Sequence, residues 1–302
     1  MRRGAQIDKK RTFSLPELIN KYFPYLALIP STSILVLIIG YPIYHTFILS
    51  FQDVRLGELS GYWIGLGNYI QAFRDPFFWS VLVNTLYFTA GTLGIELLVA
   101  IPVSLILSQG FKGVRFFRGM VLLPYLLASV VVATVWSWCL NDIYGIINWV
   151  LMEIGILNEP VSWMTNKGTA MPIIILASAW QKFPVSSLIL VAGLQSISDE
   201  VHEAASMDGA NARQRFWRVT MPLLKPYIFL SLILRTTFAM RQFDLVWLMS
   251  GGGPAGSTEL ISTLAYKEGF TVFEAGYASA LSVVLLLVTF VITAVHVKML
   301  MK

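Results

Sequence analysis

The chain has 302 residues, 56% of them apolar and only 13% charged, with a formal net charge of +5. That balance excludes an ordinary soluble domain, in which about a quarter of the residues carry charge. The single cysteine, Cys139, excludes an internal disulfide and a cysteine-built metal cluster.

Six apolar stretches recur, at about 25–51, 79–108, 116–140, 170–194, 226–249 and 272–300. Each exceeds the ~20 residues that cross a bilayer as a helix, so the expected fold is all-α and integral to the membrane. Residues 1–24 read as a basic, polar tail ahead of a transmembrane domain at 25–302. The first stretch is too long for the apolar region of a cleaved signal peptide and lacks a small-residue cleavage site, so it is expected to remain as a span. The loop at 52–78 reads as a short helix lying on the membrane surface. Glu96 follows within the second stretch. A carboxylate at that depth is costly and faces protein or water; it is either a paired structural group or a substrate contact. QGFKGVR, residues 109–115, is a short basic turn. The third stretch carries LLPYLLAS at 122–129 and ends in Trp136 and Trp138, which suit either an aromatic belt or stacking against sugar rings.

Residues 141–169 form a second loop, with turn signals at Gly145, Gly155, Pro160 and Gly168. The fourth stretch holds AWQKFPVSS at 179–187. Pro184 removes a backbone donor there, and a membrane tolerates such irregularity only against protein or a water-lined cavity. Lys182 sits beside it. The fifth stretch contains Arg235, Arg241, Gln242 and Asp244; Arg241 and Asp244, three apart, are expected to share a helix face. LMSGGGPAGST, at 248–258, is a Gly-Pro turn ahead of the sixth stretch.

Lys and Arg divide by side. With the N terminus placed inside, fifteen of the 22 fall on inner segments and four (Arg55, Arg74, Lys167 and Lys267) on outer ones. By the positive-inside rule both termini are expected in the cytoplasm, together with the segment at about 199–226.

That segment is the longest polar run between apolar stretches, reading EAASMDGANARQRFWRVTMPLLKP from Glu203 to Pro226. A first helix is expected at Asp199–Met207, with carboxylates in its first turn where the helix dipole favours them. Asp208-Gly209 breaks it, because glycine accepts left-handed backbone without steric cost. A second piece from Ala210 carries Arg213, Arg215, Phe216, Trp217 and Arg218. Pro222 and Pro226 are expected to end that piece and start the next span. By its residues alone the segment is an amphipathic loop.

Glu203, Ala204 and Ala205, then Asp208, Gly209 and Ala210, then Phe216, Val219, Pro222 and Pro226, resemble the EAA loop of ABC-importer permeases. Val219 and Met221 stand where Ile and Leu are commoner. WIGLGNY at 63–69, FDLVWLMSGGGP at 243–254 and EAGYASALS at 274–282 are similar to the MalF/UgpA-like, carbohydrate-uptake type of subunit rather than its MalG-like partner; Ser250 replaces the usual threonine. The resemblance implies the six-helix type I ABC-importer (MetI/MalF-like) fold in a bacterial or archaeal cytoplasmic membrane, and a role as permease in sugar or oligosaccharide uptake. It implies a MalG-like second permease subunit, a dimer of nucleotide-binding ATPase subunits gripping the EAA loop, and a soluble solute-binding protein, with lipid around the chain and no nucleic acid. No cofactor is expected on this chain, since the ATPase partner uses ATP and Mg.

By the same resemblance the substrate path falls on Tyr125 and Ser129, on Gln181, Lys182 and Val185, and on Ala239, Arg241 and Gln242. Ala239, Lys182 and Arg241 depart from the neutral polar or small residues of the maltose-type site. Two cations suit an acidic sugar such as a uronate oligosaccharide, or a glycerol-phosphate-type ligand. The alternative is a neutral oligosaccharide, with Lys182 and Arg241 neutralised by Glu96 and Asp244 and never meeting substrate.

The chain contains no G-x-x-x-x-G-K-[ST] phosphate loop, no H-E-x-x-H and no G-x-S-x-G. No catalytic or metal-ligating residue is therefore named, and ATP hydrolysis is expected from another chain. Two remoter readings are a membrane-embedded enzyme using Glu96 or Asp244, and a scaffold that recruits a cytoplasmic partner.

Overall fold

A computed structural model describes residues 15–58 and 61–301. Of the basic tail expected at 1–24, residues 1–14 lie outside the described residues. The chain divides into two units, residues 1–48 and 49–302. In the first, α1 (Leu15–Leu35) passes through a π-helical turn at Val36–Gly40 into α2 (Tyr41–Leu49). Ala27–Leu49 is an apolar helical stretch of 23 residues, long enough to span a bilayer.

The second unit opens with a small antiparallel hairpin, β1 (Gln52–Asp53) and β2 (Tyr62–Trp63), followed by α3 (Gly67–Arg74). The hairpin is an addition to the surface helix expected there. It is held by partners distant in sequence: Asn68 Nδ2 donates to the Ser50 and Gln52 carbonyls at 3.0 and 2.9 Å, and Gly276 N donates to Val54 O.

Three long helices form the frame: α4 (Pro76–Ser108), α8 (Lys167–Gln195) and α14 (Ala275–Leu300). Between α4 and α8 the chain makes α5 (Val114–Leu126), α6 (Ser129–Cys139) and α7 (Ile146–Glu153). After α8 come α9 (Asp199–Met207) and α10 (Ala212–Arg215), a π-helical turn at Phe216–Thr220, and α11 (Met221–Met240). Two short helices, α12 (Asp244–Ser250) and α13 (Ile261–Phe270), precede α14.

Lipid tails are as apolar as leucine, so association of such helices rests on close approach and polar pairing more than on the hydrophobic effect. The packing follows that rule. A Cβ on Gly193 of α8 would lie 2.5 Å from the Tyr227 ring of α11, so that crossing needs a glycine. Thr85, Thr89, Thr92, Ser178, Ser186 and Ser187 are buried along α4 and α8. Apolar clusters fill the rest. Phe88, Ile174, Leu245 and Val246 tie α4, α8 and α12, and Phe78, Val81, Ile261 and Leu281 tie α4, α13 and α14.

Three sequence expectations are corrected. The third span is a bent pair: α5 and α6 meet at 88°. Leu127 and Ala128 are extended there, one turn after Pro124, and the buried Gln181 donates through Nε2 to the Leu127 carbonyl at 2.9 Å. The fifth helix does not run through to residue 249. It ends at Met240, and α12 starts afresh at Asp244, so Arg241 and Asp244 do not share one helix face. Pro222 and Pro226 do not end the preceding piece either. Helix continues from Ala212 to Met240, with the wide turn absorbing the proline: Met221 N–H reaches back to Phe216 O just before Pro222, which has no N–H to give.

Candidate functional site

Two places bring the singled-out residues together. The first is a cavity of about 470 Å³ between the α5–α6 bend, the middle of α8 and the end of α11. Tyr125, Ser129, Lys182, Val185, Arg241 and Gln242 all line it, joined by Arg235, Phe238, Phe243 and Asp244. The bend sets this up, because it turns Tyr125 and Ser129 toward α8. Gln181 and Ala239 stand apart. Both are buried and neither lines the cavity; Gln181 is spent on the bend. Trp136 and Trp138 are also outside it. Trp136 packs edge-on to Trp180, and Trp138 is exposed beside Tyr144.

The charges are arranged unequally. Glu96 is 1% exposed and receives two hydrogen bonds from Arg235, Nε to Oε2 and an Nη to Oε1, each 2.9 Å. Ser186 Oγ adds a third at 3.2 Å. This bidentate fork compensates both charges where neither could stand alone. Neutralisation of Lys182 by Glu96 and of Arg241 by Asp244, one of the sequence alternatives, does not occur as an ion pair. Among the described residues the ion pairs are Arg235–Glu96 and Lys267–Glu259. Lys182 Nζ lies 5.4 Å from the centre of the Tyr125 ring. The Arg241 guanidinium lies 5.7 Å from the Phe238 ring and donates from Nε to Thr237 O at 3.1 Å. The sequence showed these charges but not their pairing, because Glu96 and Arg235 sit on different helices.

The second place is a helical elbow. Asp208 caps α9, and Gly209 takes φ +78°, a left-handed conformation that glycine alone adopts freely. Asn211 then caps α10: its side chain accepts from Gln214 N, and Gln214 Oε1 accepts from Asn211 N, both at 2.9 Å. Glu203, Ala204, Asp208, Gly209 and Pro222 are exposed; Ala205, Ala210 and Phe216 are half-buried. Met207 stands 88% exposed at the end of α9, and Trp217 is 59% exposed against Phe216. A dimple of about 350 Å³ lies between Ala205, Asp208, Ala210, Gln214 and Arg218. The turn after α4 and the end of α8 share a larger cleft with the elbow, so this end of the bundle is distinct from the end bearing the hairpin and α13.

Apolar helices around a charged cavity, with an exposed polar elbow at one end, make up a membrane transport subunit. Residues 97–298 match the family described as binding-protein-dependent transport system inner membrane component, and the chain belongs to that family. It is thus a multi-pass permease subunit of ABC-importer type and not an enzyme; the ATPase of such systems is a separate subunit. The chain is 34% identical over 275 residues to the trehalose/maltose transport system permease protein MalF of Thermococcus litoralis, covering 91% of this chain and 92% of that one. It is 32% identical over 280 residues to the sulfoquinovosyl glycerol transport system permease protein SmoG of Agrobacterium fabrum, covering 92% and 90%. A chain in the crystal structure of a bacterial ABC transporter involved in the import of the acidic polysaccharide alginate superposes with TM-score 0.80 at 24% identity, over 95% of this chain and 98% of that one. That likeness establishes the type I importer fold.

Proposed function

We propose that the chain is one permease half of a sugar importer whose ligand is acidic, a uronate oligosaccharide or another sugar bearing a carboxylate or phosphate. One observation carries this reading: Lys182 and Arg241 line one cavity without an ion-pair partner among the described residues, while the nearby Glu96 is committed to Arg235. A guanidinium fork matches a carboxylate or phosphate edge. Tyr125 and Phe238 supply ring faces beside the two cations, and Gln242 and Ser129 supply neutral hydrogen bonding. Relatives of nearly equal identity are named for trehalose/maltose and for sulfoquinovosyl glycerol, so relatedness favours no charge class, and the reading rests on the cavity's cations, which outnumber its one unpaired carboxylate, Asp244.

The elbow is the proposed contact for the ATPase. Exposed Glu203, Ala204, Asp208 and Met207 offer a docking face, and Gly209 fixes the angle between its two helices. A MalG-like second permease, an ATPase dimer using ATP and Mg, and a soluble binding protein complete the assembly. Both termini and the elbow then lie in the cytoplasm, and the path alternates its access as the ATPases close.

Uptake by Lys182→Met and Arg241→Met importers in proteoliposomes, with acidic and neutral oligosaccharides, tests the ligand. Each lost charged hydrogen bond should lower acidic uptake by roughly 10- to 100-fold and leave neutral uptake nearly unchanged. Equal losses for both ligands would reject charge recognition.

A further inference from the structure

Beyond the cavity, four aromatic rings run in unbroken contact. Phe243 lines the cavity wall. One turn along α12, Trp247 stacks on it, with centroids 5.7 Å apart and planes at 17°. Tyr266 of α13 touches both, 4.9 Å from each centroid. Phe270 stacks on Tyr266 at 5.1 Å and 28°, and is 61% exposed. The row therefore leads from the cavity toward the end of the bundle opposite the elbow.

Its surroundings are polar. Arg241 and Asp244 are exposed at the cavity end. Lys267 Nζ lies 5.7 Å from the Trp247 ring centre and is held by Glu259. Ser262 Oγ donates to Gln242 O at 2.5 Å, tying α13 to the cavity edge. Exposed charges of both signs thus border the rings at the cavity end. A ring row with a polar border matches the surface of a sugar, which has apolar C–H faces and hydroxyl edges.

Resting on the sugar-importer reading, we propose that Phe243, Trp247, Tyr266 and Phe270 form a stacking track for successive pyranose rings of an oligosaccharide. The sugar residue at the cavity presents its charged group to Lys182 and Arg241, while the following residues lie along the rings. The track is a determinant of chain length and the cavity a determinant of charge.

The test uses the complete importer in proteoliposomes, with a uronate disaccharide and tetrasaccharide, and maltose and maltotetraose, as probes. Phe270→Ala should reduce tetrasaccharide uptake roughly fivefold while leaving disaccharide uptake within experimental error, and Phe270→Trp should restore it. Equal losses at both lengths, loss of the partner permease on co-purification, no effect of Phe270→Ala, or a wild-type importer that takes up neither tetrasaccharide would each overturn the track. Arg241→Met separates the two readings. A length effect at Phe270 without charge discrimination at Arg241 removes the acidic ligand alone, and the converse removes the track alone.

Discussion

Glu96 and Arg235 are 139 positions apart in sequence and meet through two parallel 2.9 Å hydrogen bonds, joining α4 to α11. Removing one member leaves the other charged and buried, at a cost of about 3–5 kcal/mol. Glu96→Leu and Arg235→Met alone should each lower the melting temperature of the purified permease sharply. The double variant, which removes both charges, should be milder than either. A double variant as unstable as the sum of the singles would show that the two groups act independently.

Gly209 forms the elbow's corner in left-handed backbone. No atom lies within 4 Å of a Cβ built there, so Gly209→Ala carries only the left-handed backbone penalty of about 1–2 kcal/mol. Proline is worse, because its φ is fixed near −65° and the Gly209 N–H bond to Ser206 O is lost. Gly209→Ala should keep measurable uptake, whereas Gly209→Pro and Glu203→Lys should separate ATP hydrolysis from uptake with the protein still inserted. Normal substrate-stimulated ATPase activity and uptake in both of the latter would remove the elbow from the coupling.

Gln181 holds the bend between α5 and α6 through one bond to Leu127 O. Gln181→Leu should weaken it by about 0.5–1.5 kcal/mol. Spin labels at Met120 and Thr134 should then report a broader distance distribution than in wild type. An unchanged distribution would place the cause of the bend in Pro124 instead.

Glu268 of α13 lies outside the spanning helices, and its carboxyl is pushed above the usual carboxylate range, first by burial and then by Glu274, Asp75 and Glu259. The folded state thus holds that proton more tightly than the unfolded chain. Its contribution favours folding at low pH and is lost as pH rises through the raised value. Glu268→Gln should raise thermal stability at neutral pH and flatten the pH dependence just above the ordinary carboxylate range. An equal melting temperature for both chains at neutral pH would contradict this.

What the sequence discloses follows the range of the forces involved. The first half of the elbow is legible because Asp199 and Asp208-Gly209 act through their own backbone, whereas Pro222 and Pro226 mislead, since a wide turn absorbs them within one continuous helix. The first helix of the pair was expected at Asp199–Met207, and its helix has those bounds. The candidate cavity residues were named, but two of them, Gln181 and Ala239, face elsewhere. The bend at Leu127 depends on a side chain 54 positions away, and the hairpin at 52–63 depends on Asn68 and Gly276. The aromatic row was illegible for the same reason: Trp247 and Tyr266 lie on different helices, and only the fold makes them neighbours.

The continuous rod from Ala212 to Met240 counts 29 residues, about 43 Å at 1.5 Å per residue. It has one foot in the elbow and carries Arg235 and Phe238 near its far tip. Leverage over such a length is large: pivoting it by about 10° at the elbow swings the tip by roughly 7 Å. Arg235 is clasped by Glu96, so α4 must travel with it or let go. A tilt of that size at one end would thereby give a displacement about the width of a sugar ring at the other.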